Sequence, residues 1–197
     1  MNGFPNFTLN QSNLMRKNLV YLCIVPLLTL LLFSCHSSKK TTKFKAKQEE
    51  ASIRLTNREI REKYAAIMRI EPHEIENLKL YYFINKWYGV PYQRGNIALD
   101  GTDCSGFAGL LCKEVYQQKI ERNSAQIFEK NCRTKNTKRL KEGDLLFFKT
   151  EHDYIDHVGI YLHNNYFVHA TVKLGVVIDN LGHTYWKRTF YKGGSRK

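Results

Sequence analysis

The amino-acid sequence predicts an α+β domain, with N-terminal helices packed on an antiparallel β-meander. Two patterns and their order carry this prediction. Between residues 56 and 118 apolar side chains recur every three or four positions. After Gly143 they gather in short β-branched and aromatic runs separated by polar segments. The helical pattern comes first and the strand pattern follows it.

The chain opens differently. Residues Leu19 to Phe33 are apolar apart from Thr29, with Arg16-Lys17 just before them. A run this short fits the apolar core of a secretory signal better than a bilayer span. Ser34-Cys35 closes it like the lipobox of bacterial lipoproteins, so residues 1–34 are expected to be a signal and Cys35 the lipidated residue. Residues 1–14 carry no charge, and Met15-Arg16-Lys17 makes a more ordinary beginning, so Met15 is expected to be the true start. Residues 35–50, with five lysines among 39–47, read as lipidated cysteine and solvated tether. A single domain is expected over 51–197, enough for one core and short for two.

Within that domain Thr56 and Glu59 make a capping box, and Ile60, Tyr64, Ile67 and Met68 follow at helical spacing. Pro72 is expected to open a second helix carrying Ile75, Leu78, Tyr82, Phe83 and Trp87, ended by Gly89 and Pro91. A third helix spans about Asp103 to Gln118, with Thr102 or Asp103 as N-cap. Its Cys104, Phe107, Ala108, Leu111 and Val115 share one face, which turns Cys104 toward whatever the helix packs on. Strands are expected at Asp144–Phe148, His157–Leu162, Tyr166–Thr171 and Val176–Asp179, with Tyr185–Tyr191 a further candidate.

Net charge is +13, and a mature chain without Arg16 and Lys17 keeps +11. That balance favours anionic partners such as phospholipid headgroups, lipopolysaccharide or carboxylate-rich peptides. Nucleic acid, the usual alternative for a basic chain, does not suit an exported lipoprotein. Beyond Cys23 and Cys35 three cysteines remain, an odd number that suggests one reactive thiol. Cys112 and Cys132 could pair as a disulfide, although Cys112 reads better as a small buried apolar residue.

Cys104, His157 and His169 are the residues that carry chemistry. A thiol at a helix N-terminus meets partial positive charge and free backbone N–H groups. One imidazole can take its proton and return it to a leaving amine, and a second can hold the first in the required tautomer. The same three residues are also zinc-ligand types, but no fourth ligand stands out and no pair shares a helix face, so no metal or cofactor is called for. His36, His73, His152, His163 and His183 show no partner pattern and read as surface residues.

The assignment imposes a geometric condition. An ideal two-residue loop at Asn164-Asn165 would place His157 and His169 on opposite faces of the sheet. Cooperation requires an odd-length loop, such as His163-Asn164-Asn165, or a bulge between the two strands.

Several segments together resemble the NlpC/Spr-type lipoproteins of the NlpC-type cell-wall cysteine peptidase family. They are Val90-Pro91-Tyr92, Asp103-Cys104-Ser105-Gly106-Phe107, Gly143-Asp144-Leu145, His157-Val158-Gly159-Ile160-Tyr161, Phe167-Val168-His169-Ala170-Thr171 and Tyr185-Trp186-Lys187-Arg188. The resemblance implies a papain-like fold and hydrolysis of peptide bonds in peptidoglycan stem peptides or their cross-links. It makes Cys104 the nucleophile, His157 the base and His169 the orienting residue. Tyr92 would bind substrate or stabilise the oxyanion, and Asp103 and Ser105 would help hold the stem peptide. The Cys104 backbone N–H is a candidate oxyanion donor. Where the family usually has an aromatic residue and Gly-Gly, this chain has Arg94-Gly95-Asn96, and Asn96 is expected to take the left-handed conformation that glycine would.

The expected protein is therefore a monomeric peptidoglycan endopeptidase, anchored by its N-terminal lipid and facing the periplasm from an outer membrane. An acyltransferase or amidase on another amide or lipid substrate, and an inactive wall-binding lipoprotein, are the competing readings.

Overall fold

The computed structural model describes residues 55–197. The expected signal, Met15 start, Cys35 and tether lie outside those residues, as do the first four residues of the expected domain.

Helix α1 (Asn57–Met68) begins at the expected capping box. The Thr56 hydroxyl accepts the Glu59 N–H, and the Glu59 carboxylate accepts the Thr56 N–H at 2.6 Å. Each partner satisfies an amide that the helix start leaves open. Ile60, Tyr64, Ala65 and Met68 form its buried stripe. The single helix expected from Pro72 is two pieces, a 3-10 turn at Pro72–Glu74 and α2 at Leu78–Trp87. Asn77 divides them, because its side chain accepts the Leu80 N–H at 3.2 Å and starts a new helix. The buried face shifts accordingly to Leu80, Tyr81, Phe83, Ile84 and Trp87, leaving Leu78 and Tyr82 half-buried. Helix α3 (Cys104–Tyr116) joins this core through Phe107, whose ring lies 5.8 Å from that of Phe83.

Two short strands, β1 (Ile97–Ala98) and β2 (Gly101–Thr102), pair just ahead of α3. After it come a helical turn α4 (Ser124–Gln126), a π-helical turn over Ile127–Asn131, and β3 (Cys132–Lys135). Then follow β4 (Leu145–Phe148), β5 (His157–Tyr161), β6 (Tyr166–Thr171), β7 (Gly175–Asn180), α5 (Thr184–Thr189) and β8 (Phe190–Arg196). The six-stranded antiparallel sheet runs β3-β8-β4-β5-β6-β7. Strands β4 to β7 form the expected meander.

The end of the chain departs from the expected topology. Residues 184–189 are helical, so the last strand begins at Phe190 and enters the sheet between β3 and β4. Its Gly194 lies so close to β3 that a Cβ there would stand 2.1 Å from the Arg133 carbonyl oxygen. Glycine is needed for that approach, although Gly-Gly reads as an interruption in a sequence. Cys112 and Cys132 are both free thiols, and Cys112 is fully buried in the core, as its reading as a small apolar residue expects.

Alternation along the strands divides the core. Leu145, Phe147, Val158, Ile160, Val168, Ala170 and Val176 face the helices. Leu146, Phe148, Phe167, Leu181 and Trp186 form a second cluster. His157 pairs with Phe148 across β4 and β5, and its side chain belongs to this second face.

The β5–β6 turn meets the geometric condition through a bulge. Asn164 (φ 51°) and Asn165 (φ 66°) both take the left-handed conformation that a tight hairpin requires. The Tyr166 N–H donates to the His163 carbonyl, but the Tyr166 carbonyl accepts from Leu162, each at 2.8 Å. Two residues thus oppose one. Beyond the turn Tyr161 pairs with Phe167 and Ile160 with Val168, which returns His157 and His169 to one face.

His163 is not the bare surface residue expected. Its Nε2 lies 2.9 Å from Glu142, which also accepts the Tyr81 hydroxyl at 2.7 Å. The Glu142 hydrogen bond raises the His163 pKa. This pair's contribution to stability is complete below the unfolded pKa of about 6.5 and fades as pH rises through the higher folded value. Thermal melts from pH 6 to 8 should show the wild type losing a Tm advantage over His163→Gln; a constant difference would contradict this.

Candidate active site

Cys104 is the first residue of α3, and Asp103 is its N-cap, as expected. The Asp103 carboxylate accepts the Gly106 N–H at 2.8 Å and the Gly95 N–H at 2.7 Å. Gly95 (φ +80°), not Asn96, supplies the left-handed turn. Asn96 holds the turn by donating its N–H to the Gln93 carbonyl, 3.1 Å away. Tyr92 is clipped beside this start, since Thr102 donates to the Pro91 carbonyl and Gln93 to the Thr102 carbonyl, both at 3.0 Å. Its phenol is half-buried, with a pKa raised by burial and by Cys104 and Asp103 nearby.

The two imidazoles meet directly, His157 Nε2 lying 2.8 Å from His169 Nδ1. His169 Nε2 continues to Asp179 Oδ2 at 3.1 Å. Register explains this last contact. His169 pairs with Val177, so Asp179 is its diagonal neighbour on the same face. Trp186 closes the cluster, nearly parallel to the His157 ring at 5.7 Å and edge-on to His169 at 4.6 Å. Gly159 leaves room for this packing, because a Cβ there would stand 2.8 Å from the Phe167 ring and 3.3 Å from His169 Cβ.

Cys104, His157, Tyr92, Asp103, Ser105, Asp179 and Trp186 all line one open cleft of about 1060 Å³. His169 is fully buried behind them. Asp103 and Ser105 are engaged within the chain. Arg122 donates to both Asp103 oxygens at 2.6 and 2.9 Å, and the Ser105 hydroxyl donates to the Arg122 carbonyl at 2.8 Å.

Burial pushes the Cys104 thiol up to about 11, although the Val158, Ser105 and Cys104 N–H groups favour its thiolate. Burial, then the neighbouring His169, lowers His157 to about 3. His169 is also lowered by burial, while Asp179 pulls it the other way. Burial thus favours the neutral thiol and neutral imidazoles, against the pull of the helix terminus toward the thiolate. Iodoacetamide alkylation of Cys104 should quicken about tenfold per pH unit between pH 7 and 10, with Cys104→Ala as the blank. Levelling of the rate near neutrality would show a preformed ion pair instead.

Asp179, Trp186 and Arg122 were not among the expected site residues. The alternation of the expected strand Val176–Asp179 held a signal for Asp179, whereas Arg122 lies in a polar connection with no pattern to mark it.

Comparison with known proteins shows what the chain is similar to. The family model described as "NlpC/P60 family" matches residues 89–194. A probable endopeptidase NlpC homolog of Haemophilus influenzae is 37% identical over 107 residues, covering 54% of this chain and 55% of that protein. The murein DD-endopeptidase MepS/murein LD-carboxypeptidase of Escherichia coli K12 is 35% identical over 104 residues, covering 53% and 54%. The match thus spans about half the length of these two relatives. Among solved structures, an NlpC/P60 protein of Bacillus cereus shares the fold with a TM-score of 0.54 at 22% identity, over 60% of this chain and 39% of that one. The NlpC/p60 domain of the peptidoglycan hydrolase SagA shares it at 0.52 and 23% identity, over 61% and 99%. By sequence match and by fold, the chain belongs to the NlpC/P60 family.

Proposed function

We propose that this chain is a cell-envelope cysteine endopeptidase that hydrolyses peptide bonds in peptidoglycan stem peptides or their cross-links. The observation that carries the reading is a helix-terminal Cys104 sharing a cleft with His157, whose Nε2 is hydrogen-bonded to His169. The relative named as a murein DD-endopeptidase supports the substrate class.

The mechanism follows from the positions. Cys104 Sγ attacks the scissile carbonyl carbon while its proton passes to His157. The Cys104 N–H, with the Tyr92 hydroxyl nearby, steadies the oxyanion. His157 then returns the proton to the departing amine, leaving a thioester. Water activated by His157 hydrolyses the thioester and restores the thiol. Asp103 and Ser105, tied to Arg122, form one wall of the substrate cleft. The chain works as a monomer without a cofactor. Residues 1–34 direct export, and lipid on Cys35 holds the domain at the outer membrane, facing the periplasm.

A second reading is an acyltransferase on a lipid or other apolar amide. Tyr154, Val172, Leu174 and Tyr185 favour it, because all four are exposed apolar side chains lining the cleft. Digestion of purified peptidoglycan by the full chain in detergent, beside Cys104→Ala, separates the two. Soluble peptides released by wild type only, identified by mass, support the peptidase. Absence of release by folded protein with a titratable thiol would reject it.

A further inference from the structure

We propose that Asp179 is a positioning residue that fixes the proton arrangement of both site histidines and thereby makes His157 able to accept the Cys104 proton. The proposal rests on the peptidase reading only where activity is measured.

Asp179 has its pKa lowered, first by its hydrogen bond to His169, so it is ionised at neutral pH and can only accept hydrogen bonds. His169 faces it from β6, the Trp186 indole N–H from α5, and His183 from the turn before α5. His169 Nε2 must therefore carry hydrogen and donate to Asp179 Oδ2. A neutral His169 has one N–H, so its Nδ1 is bare and acts as an acceptor. The 2.8 Å contact then requires His157 Nε2 to donate to it. That leaves Nδ1 as the one bare nitrogen on His157. As the thiol attacks, the S–H bond breaks, the Nδ1–H bond forms, and no other proton moves.

The reverse arrangement is equally good for the histidine pair taken alone. His169 would carry hydrogen on Nδ1 and donate to His157 Nε2, and the His157 proton would sit on Nδ1. His157 could then accept nothing from Cys104. The Asp179 charge excludes this state, because a bare His169 Nε2 would face a carboxylate at 3.1 Å. An asparagine there would permit it. Trp186 can only donate and would take the amide oxygen, leaving the amide N–H2 to donate to His169 Nε2.

The test is long-range proton–nitrogen NMR of ¹⁵N-histidine-labelled full chain in detergent, comparing wild type, Asp179→Asn and Asp179→Glu. Wild type and Asp179→Glu should show both rings protonated on Nε2, and Asp179→Asn should show both protonated on Nδ1. In cleavage assays Asp179→Asn should lose kcat on the order of 10- to 100-fold with little change in KM, a smaller loss than misorienting the base directly, and Asp179→Glu should restore most of it. Nδ1–H on either wild-type ring, or unchanged tautomers in folded Asp179→Asn, would overturn the proposal. So would a loss of activity expressed in KM alone. If wild type cleaves no peptidoglycan, the peptidase reading fails, and the spectra still decide the role of Asp179.

Discussion

Replacement of His157 by glutamine is expected to lower peptide cleavage by on the order of 10²- to 10⁴-fold while the domain stays folded. Glutamine keeps a polar group near His169 but cannot hold the thiol proton between the attack and the departure of the amine. The pH dependence of stability separates this loss from unfolding. The buried His157 is lowered to about 3, so its neutral form favours folding only above the unfolded value of about 6.5. That contribution is lost as pH falls from about 6.5 toward 3. Tm of His157→Gln should consequently fall less than that of wild type over this range. The sense is opposite to that at His163, whose contribution is lost as pH rises. Substantial cleavage by His157→Gln would remove His157 from the mechanism.

Truncation of Phe148 to alanine is expected to give the largest loss of stability, about 3–5 kcal/mol, and to lower Tm by roughly 10 °C. Phe148 is fully buried, with its ring 5.1 Å from Phe167, 5.2 Å from Trp186, 5.8 Å from Phe190 and 5.7 Å from His157. It supports the second core and the wall against which the base is stacked. Activity measured well below the melting point should fall as well, because His157 and Trp186 lose a common neighbour. Urea denaturation and a cleavage assay on the same sample check both parts. A loss under about 1 kcal/mol would mean that the cluster collapses to fill the space.

Much of the fold could be read from the chain because its signals were local. The capping box at Thr56, the Asp103 cap and the runs from Leu145 to Asn180 each declare an element through neighbouring residues. The features that escaped depend on distant partners. Strand β3 is a short polar edge, Cys-Arg-Thr-Lys, with no apolar alternation to announce it. Strand β8 carries the adjacent glycines Gly193 and Gly194, whose purpose appears only when β3 lies alongside. At the site, Cys104 and the two histidines stand out by residue type, and parity calls for an odd-length loop or a bulge without choosing between them. Asp179 and Arg122 are ordinary charged residues until the sheet register and the loop path bring each to its partner.

The β5–β6 turn turns loop length into a condition for chemistry. Surface connections usually accept insertions and deletions with little consequence. Here one added or lost residue, absorbed by the ladder, would exchange the two faces of β6 relative to β5, sending His169 toward the helices and an apolar neighbour toward His157. A two-residue change keeps the parity and can leave the site intact. Across natural variants of this domain, length changes at the Asn164-Asn165 tip should therefore come in steps of two. An odd step should travel with a compensating bulge elsewhere in the strand pair.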